Sequence, residues 1–270
     1  MSARRPPPHG QHFLHDPALA RRIVEALEAD AERVLEIGPG RGALTRGLAR
    51  ICRELTAVEL DPVLADELRT DPELEGVTVE TGDILSRALP GWLAGEPERF
   101  LLIGNLPYGI TSAVLFAYCA AAARIPRAVM MMQREVAERV TAEPGSRTYG
   151  ITSVAAALVA RREKLFTIGT GAFSPPPRVE SAVIRLASRS EPLTGRPGTP
   201  SFDQVMRVVR TAFGQRRKKL RNALRAGSVF SGDPATWEAA AGIDLDRRAE
   251  MLSPEEFCRL AAVMNPPDGV

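Results

Sequence analysis

At 270 residues, 44% hydrophobic and 25% charged, the chain has a globular composition with room for one sizeable core, or for a larger and a smaller domain. The longest apolar run, residues 113–123, is too short to span a bilayer, and the basic start Met1-Ser-Ala-Arg-Arg has no apolar stretch behind it. Cys52, Cys119 and Cys258 are scattered and odd in number, which argues against a disulfide framework, so we expect a cytoplasmic protein with no secretory signal.

In chain order, short apolar runs predict strands at 33–38, 55–60, 77–80, 100–103 and 128–133, with helices between them, clearest at 111–123 and 134–141. Strands alternating with helices imply an α/β fold with a mostly parallel sheet covered on both faces. Met130, Met131 and Met132 sit inside a strand pattern and are expected in the core. Two further strands are predicted at 164–168 and 181–187. The Ser-, Gly- and Pro-rich segment 188–200 reads as a linker. After it, apolar residues at 202, 205, 206, 209 and 213 recur at helical spacing. The expected organisation is a first domain over 1–187, a linker over 188–200 and a small all-helical domain over 201–270.

Charge is distributed unevenly between these parts. Residues 202–227 hold eight Arg and Lys and one acid, a net +7, so the remainder of this +2 chain carries 2 − 7 = −5. The densest part is Gln215-Arg216-Arg217-Lys218-Lys219-Leu220-Arg221-Asn222. Solvated helix faces usually mix signs, and this one does not, so a polyanionic partner is expected. Leu220 and Leu224 are placed to face the core while the cations point outward.

The predicted strand ends carry the chemistry. The first runs into Gly38-x-Gly40-x-Gly42, where glycines let the backbone turn tightly and approach a ligand at the mouth of a helix. Glu59 ends the second, where an acid can accept ribose hydroxyls, and Asp83 closes the third, where a carboxylate can accept from an adenine amine. With Ala43 the loop also fits the looser dinucleotide fingerprint, which keeps an NAD oxidoreductase in view. The fourth strand end separates the two, because Asn105-Leu106-Pro107-Tyr108 has no evident use in hydride transfer.

That tetrapeptide offers an amide oxygen, a backbone carbonyl and an aromatic face at one point. The lone pair of an exocyclic amine is delocalised into its base. Accepting its hydrogens through Asn105 and the Leu106 carbonyl favours the pyramidal geometry that frees it. Tyr108 would stack on one face of the base, and Phe173, held by the rigid Pro175-Pro176-Pro177, is the candidate for the other. An ordinary proline turn after a strand is the competing reading of the tetrapeptide alone. Docking of the proline run on an SH3-like partner is disfavoured by the strand patterns around it. His9, His12 and His15 recur at three-residue spacing but lack an acid or Cys partner, and no metal is expected.

The same residues carry a family resemblance. The chain resembles the small-subunit ribosomal RNA adenine N6,N6-dimethyltransferases of the KsgA/RsmA type. The match runs from Gly10-Gln-His-Phe-Leu through Glu36-Ile-Gly-Pro-Gly, Glu59-Leu-Asp and Asn105-Leu-Pro-Tyr. It continues through Gln133-Arg-Glu-Val-Ala-Glu-Arg, Phe173-Ser-Pro-Pro-Pro-Arg and Phe213-Gly-Gln-Arg-Arg-Lys-Lys-Leu-Arg-Asn. The resemblance implies a Rossmann-like class I S-adenosylmethionine methyltransferase sheet in the first domain. It implies co-substrate contacts at His12, Leu14, Gly38, Glu59, Asp83 and Asn105, beside the Gly40 read from the loop. It also implies two methyl groups on each of two neighbouring adenines near the 3′ end of small-subunit rRNA, late in subunit assembly. In that setting Arg216, Arg217, Lys218, Lys219, Arg221 and Asn222 would grip rRNA phosphates, and the protein would work as a monomer. Departures from the pattern are His12 where many members have Asn, Pro8-His9 where a basic-aromatic pair is common, and Gly109 where Asn or His is frequent. The rival readings are a large-subunit adenine methyltransferase of the macrolide-resistance type and an assembly factor whose binding matters more than its methylation.

Overall fold

The computed structural model describes residues 11–28, 32–88 (backbone only at 87 and 88), 99–107, 109–226 and 232–264. Pro8, His9 and Tyr108 therefore lie outside the described residues. The chain divides into two compact units, Met1–Ala137 with Arg162–Ser188, and Glu138–Arg161 with Arg189–Val270.

The first unit opens with a two-residue strand, β1 (Phe13–Leu14), and helix α1 (Pro17–Ala26). Asp16 caps that helix by accepting from the backbone N–H groups of Ala18 at 2.9 Å and Leu19 at 3.1 Å, and Pro17 occupies the position where a missing N–H costs nothing. Strands β2 (Arg33–Ile37), β3 (Glu54–Glu59), β4 (Thr78–Thr81), β5 (Leu101–Asn105) and β6 (Arg127–Gln133) follow, with helices α2 (Thr45–Leu48), α3 (Pro62–Arg69) and α4 (Thr111–Ala120) on the crossovers. After α5 (Arg134–Val140) and α6 (Ile151–Val159) come β7 (Ala160–Ile168), the short β8 (Phe173–Ser174) and β9 (Ser181–Ser188).

Seven strands form one sheet in the order β4-β3-β2-β5-β6-β9-β7. The first five pair in parallel, and β9 runs antiparallel to β6 with Gln133 opposite Ser181. Strand order reverses on either side of β2, so the crevice beyond its carboxyl end is where an open α/β sheet receives a ligand. Val34, Leu35, Leu102, Ile103, Val129, Met130 and Met131 are buried on both faces, as covered parallel strands require, and the methionine run is core as expected. Ile23, Val24, Leu27 and Leu48 of the flanking segments pack against Val34, Ile103, Val129 and Met131 of the sheet. The strand expected at 164–168 begins earlier, at Ala160, and the helix expected over 111–123 stops at Ala120.

The second unit is helical. It is built from α6, α7 (Phe202–Gly214), α8 (Leu220–Ala226), α9 (Pro234–Ala241) and α10 (Pro254–Met264). Ser201 and Gln204 form a reciprocal capping box at the start of α7. Val205, Met206, Val209, Leu220, Leu224, Phe257 and Leu260 fill the core, and Phe213 meets Tyr149 and Phe257 at 6.1 Å between ring centroids in each case. Residues 138–161 belong to this unit, although their place between strands reads in the sequence as part of the first. The apolar α6 is buried from Ser153 to Val159, and its end is tied down by Arg189 N–H on the Val159 carbonyl at 2.8 Å and Leu193 N–H on that of Leu158 at 2.9 Å.

Candidate active site

One cavity of about 330 Å³ gathers the ends of β2, β3 and β5 and the turn after β4. Each of these strands delivers a polar residue where its hydrogen-bond ladder stops. They are Glu36 with the glycine loop, Glu59, Asp83 and Asn105. His12, Leu14, Leu106, Pro107 and Phe173 also line it.

The glycine loop is held from below by Glu59. Gly38, Gly40 and Gly42 have φ of 64°, 57° and 77°, and a Cβ at Gly40 would stand 3.0 Å from the Phe13 ring. That left-handed backbone aims the Gly40 N–H at Glu59, whose Oε2 accepts it at 2.9 Å, while Oε1 accepts from the Asp61 N–H at 3.0 Å. Glu59 is only 2% exposed. Gln11 adds a longer contact of 3.5 Å, so the carboxylate that sequence reading reserves for a ligand is also the clamp of the loop. Asp83 is exposed and uses Oδ1 to accept the Leu85 N–H at 2.9 Å, fixing the turn after β4.

Asn105 is oriented by a chain of contacts among segments far apart in sequence. Its Nδ2 donates to the His12 carbonyl at 3.1 Å. The His12 ring is itself fixed by donation from Nδ1 to the Pro175 carbonyl at 2.7 Å. β1 and β8 pair antiparallel, Phe13 opposite Ser174 and Leu14 opposite Phe173, which brings the proline run beside the N-terminal segment. With Nδ2 committed, Oδ1 of Asn105 is left as an acceptor. The next peptide is fixed by the Leu106 N–H on the Met131 carbonyl at 2.9 Å, and the Pro107 carbonyl accepts from Ile110 N–H at 3.1 Å and from the Thr111 hydroxyl at 3.2 Å.

A family whose model is described as ribosomal RNA adenine dimethylase matches residues 5–265. The chain belongs to that family. A ribosomal RNA small subunit methyltransferase A of Acidobacterium capsulatum is 45% identical over 264 residues, covering 96% of this chain and 91% of the relative. Among solved structures, a dimethyladenosine transferase from Plasmodium falciparum aligns with TM-score 0.76 at 22% identity, covering 92% of this chain and 96% of the other, and shares the fold. The 23S rRNA methyltransferase ErmE aligns with TM-score 0.69 at 28% identity, covering 94% of this chain and 99% of the other. The α/β sheet of class I methyltransferases, expected from the sequence, is the fold observed.

Within this dimethylase cavity the structure also places residues that sequence reasoning did not single out. Leu60 is half exposed beside Glu59, and Ile84 follows Asp83, so apolar walls flank the two acids. A Cβ at Gly104 would lie 2.6 Å from the Ile37 carbonyl, so the residue before Asn105 has to be glycine for β5 to sit against the end of β2. Its position next to the tetrapeptide was the available signal. Phe173 lines the cavity but is only 3% exposed and packs with the core, so little of its ring faces the space.

The most isolated group is Glu36. It is 1% exposed, and its Oε2 has no hydrogen-bond partner. Burial pushes its carboxyl up to about 8; the Thr45 hydroxyl opposes this and the charge of Glu59 adds to it.

In the second unit the basic block divides. Arg216 donates to the carbonyls of Arg147 at 2.6 Å and Tyr149 at 3.0 Å. Lys219 pairs with Asp246 at 3.0 Å, and Arg221 with Glu238 at 3.0 Å and with Asp246. The hydrogen bond from Lys219 is the chief reason that the Asp246 carboxyl lies below its ordinary range. Arg217 and Lys218 are exposed and have no side-chain partner among the described residues, and Asn222 is exposed on α8. Leu220 and Leu224 are buried as expected. Among the described residues no group of three or more His, Cys, Asp or Glu could hold a metal ion, and no helix is long and apolar enough to cross a membrane.

Proposed function

We propose that this chain is an S-adenosylmethionine-dependent rRNA adenine N6,N6-dimethyltransferase acting on two adjacent adenines of small-subunit rRNA, as a cytoplasmic monomer on a pre-ribosomal particle. The observation that carries the reading is the orientation of Asn105. Its amide is pinned through Nδ2 to His12, and its oxygen remains for an amine. Family membership, and a 45%-identical relative named for the small subunit, support the substrate.

The cavity residues fit the co-substrate. Glu59 and Asp83 still have lone pairs to offer beyond their backbone donors, for ribose hydroxyls and an adenine amine respectively, between apolar walls at Leu60 and Ile84. Gly38 and Gly40 let main chain approach closely, and His12 and Leu14 close the side next to Asn105. When bound, S-adenosylmethionine supplies an electrophilic methyl group on a sulfonium.

The chain's own work is positioning. The target adenine leaves its stack, at a cost of a few kcal/mol. Asn105 Oδ1 and the Leu106 carbonyl accept its N–H hydrogens and hold the amine in line, so no general base is needed at the outset. Pro107 stiffens that turn. Tyr108 supplies a stacking face in this reading, and Phe173 the other after a small shift of its ring. Of the basic block, Arg217 and Lys218 are free to meet phosphates, with Asn222 nearby on α8, whereas Arg216, Lys219 and Arg221 also brace the helical unit.

The test is to incubate the protein with labelled S-adenosylmethionine and unmethylated small subunits, then map modified adenines by nuclease digestion and mass spectrometry. Dimethyladenine in small-subunit rRNA is expected. Label confined to large-subunit rRNA would favour the second reading, which the likeness to ErmE keeps in play, and would overturn this one.

A further inference from the structure

The cavity is lined by the acids Glu36, Glu59 and Asp83, and Arg41 is the one Arg or Lys among its described lining residues. Such a cavity admits a neutral base but repels the phosphates on either side of it. A strand that delivers an adenine there needs cations at the rim, whatever docks the rest of the RNA.

Two arginines of the first unit meet that need. Arg33, Arg46, Arg69, Arg127, Arg134 and Arg185 of the same unit are each held by a carboxylate. Arg41 and Arg178 are exposed and have no acid partner among the described residues. Arg41 belongs to the glycine loop, and its guanidinium carbon lies 4.8 Å from the centroid of the Phe13 ring. Stacking of that kind braces a guanidinium by its face and leaves the N–H groups on its edge free to donate. Phe13 is in β1, where its partner across the ribbon is Ser174 of β8.

Arg178 follows four residues after Ser174, on a segment fixed at both ends. The Pro175 carbonyl is bonded to His12 at 2.7 Å, and Ser181 opens β9 opposite Gln133 and lines the cavity. The nearest acid in sequence, Glu180, is taken by Arg134 at 2.5 Å. Val179 is 45% exposed, so the segment shows a cation and an apolar surface side by side. A phosphate and the face of a neighbouring base would meet that pair.

We propose that Arg41 and Arg178 form a phosphate clamp at the cavity rim, gripping the RNA backbone next to the target nucleotide once its base has left the stack. This rests on the RNA adenine reading above. The planar fork of each guanidinium suits two oxygens of one phosphate. Arg217 and Lys218 serve the docking of the RNA as a whole, and the rim pair acts on the strand that enters.

The test is single-turnover methylation of unmethylated small subunits by the whole chain, with filter binding of the subunits and calorimetry of S-adenosylmethionine alongside. Arg41→Gln and Arg178→Gln should each lower the rate at saturating subunits by about tenfold, and the double variant by more. Subunit affinity should change by less than about threefold, and co-substrate affinity should stay within about twofold. Arg41→Leu keeps apolar packing on Phe13 without the charge and should match Arg41→Gln. Arg178→Lys keeps the charge and should retain the rate within about threefold. All variants should melt with the parent, since neither cation has an acid partner in the fold. A double variant as fast as the parent overturns the proposal. A tenfold loss of co-substrate affinity in Arg41→Gln also overturns it, by placing Arg41 on the S-adenosylmethionine carboxylate. Weaker subunit binding at an unchanged saturated rate overturns it in favour of general docking. A parent chain that binds S-adenosylmethionine but leaves small subunits unmethylated refutes the function reading, and the clamp falls with it.

Discussion

Replacing Glu36 by Gln should stabilise the ligand-free protein, and by an amount that depends on pH. The folded carboxyl stands at about 8, against an ordinary 4.5, because burial penalises its charge. Between those values the folded chain holds a proton that the unfolded chain has lost, so stability falls as pH rises from about 4.5 to 8 and is level above that. At about 1.4 kcal/mol per pH unit, the whole span from 4.5 to about 8 withdraws about 5 kcal/mol from the ligand-free fold. The part between pH 6 and 8 comes to about 3 kcal/mol. Gln cannot titrate and has nearly the shape of the neutral acid. The melting-temperature gap between variant and parent should therefore widen in favour of the variant by roughly 5–10 °C between pH 6 and pH 8.5. Cys52, the neighbouring thiol, is pushed up to about 11 and stays neutral throughout. Thermal unfolding by circular dichroism at the two pH values reads the effect. A gap that stays constant would mean that Glu36 is already ionised or is solvated in the folded chain, and would refute its neutral, enclosed state.

Asn105→Ala removes one hydrogen bond to His12 and should cost the fold about 1 kcal/mol, while single-turnover methylation falls on the order of a hundredfold or more. Retained methylation would refute the role of its oxygen. Glu59→Gln leaves a single acceptor oxygen for the Gly40 and Asp61 N–H groups. It should lower stability by about 1–3 kcal/mol as well as weakening co-substrate binding in calorimetry. A loss of binding at unchanged melting temperature would show that the loop clamp is unimportant. Arg217→Gln with Lys218→Gln should lower the log–log salt slope of rRNA binding by about 0.7 per lost contact to single-stranded RNA, with no change in melting. Lys219→Gln with Arg221→Gln should instead lower the melting temperature, since their partners Asp246 and Glu238 lose their cations. Gly104→Ala forces a Cβ to within 2.6 Å of the Ile37 carbonyl and should cost about 1–3 kcal/mol in thermal unfolding.

The parts of this site visible in the sequence are those written in periodic patterns. The ends of β2, β3 and β5 are announced by apolar runs that stop at Gly38, Glu59 and Asn105, and parallel topology then brings those ends together. The isolation of Glu36 is not written that way. It depends on how α2 and the end of β3 cover the residue, and an acid two positions before a glycine loop looks the same whether exposed or enclosed. The pairing of β1 with β8 was equally hidden, because two-residue strands are too short to show a period. In the helical unit the density of cations at 216–221 was plain, but the acids that neutralise Lys219 and Arg221 come from Glu238 and Asp246, after the charge run has ended. Residues 138–161 misled for a related reason. An apolar helix between two strands reads as a crossover, and only its packing partners reveal which unit it joins.

The union of β1 with β8 imposes a schedule on synthesis. Residues 13 and 14 leave the translating ribosome early, yet their strand partners at 173 and 174 are made far later, and β9 later still. A growing chain can shape the glycine loop and the first parallel strands from contacts already available. It cannot fix His12 against Pro175, and so cannot orient Asn105, until the proline run has emerged. Fragments that stop short of that point lack β8 and the Pro175 carbonyl, and with them the contacts that orient Asn105 in the full chain.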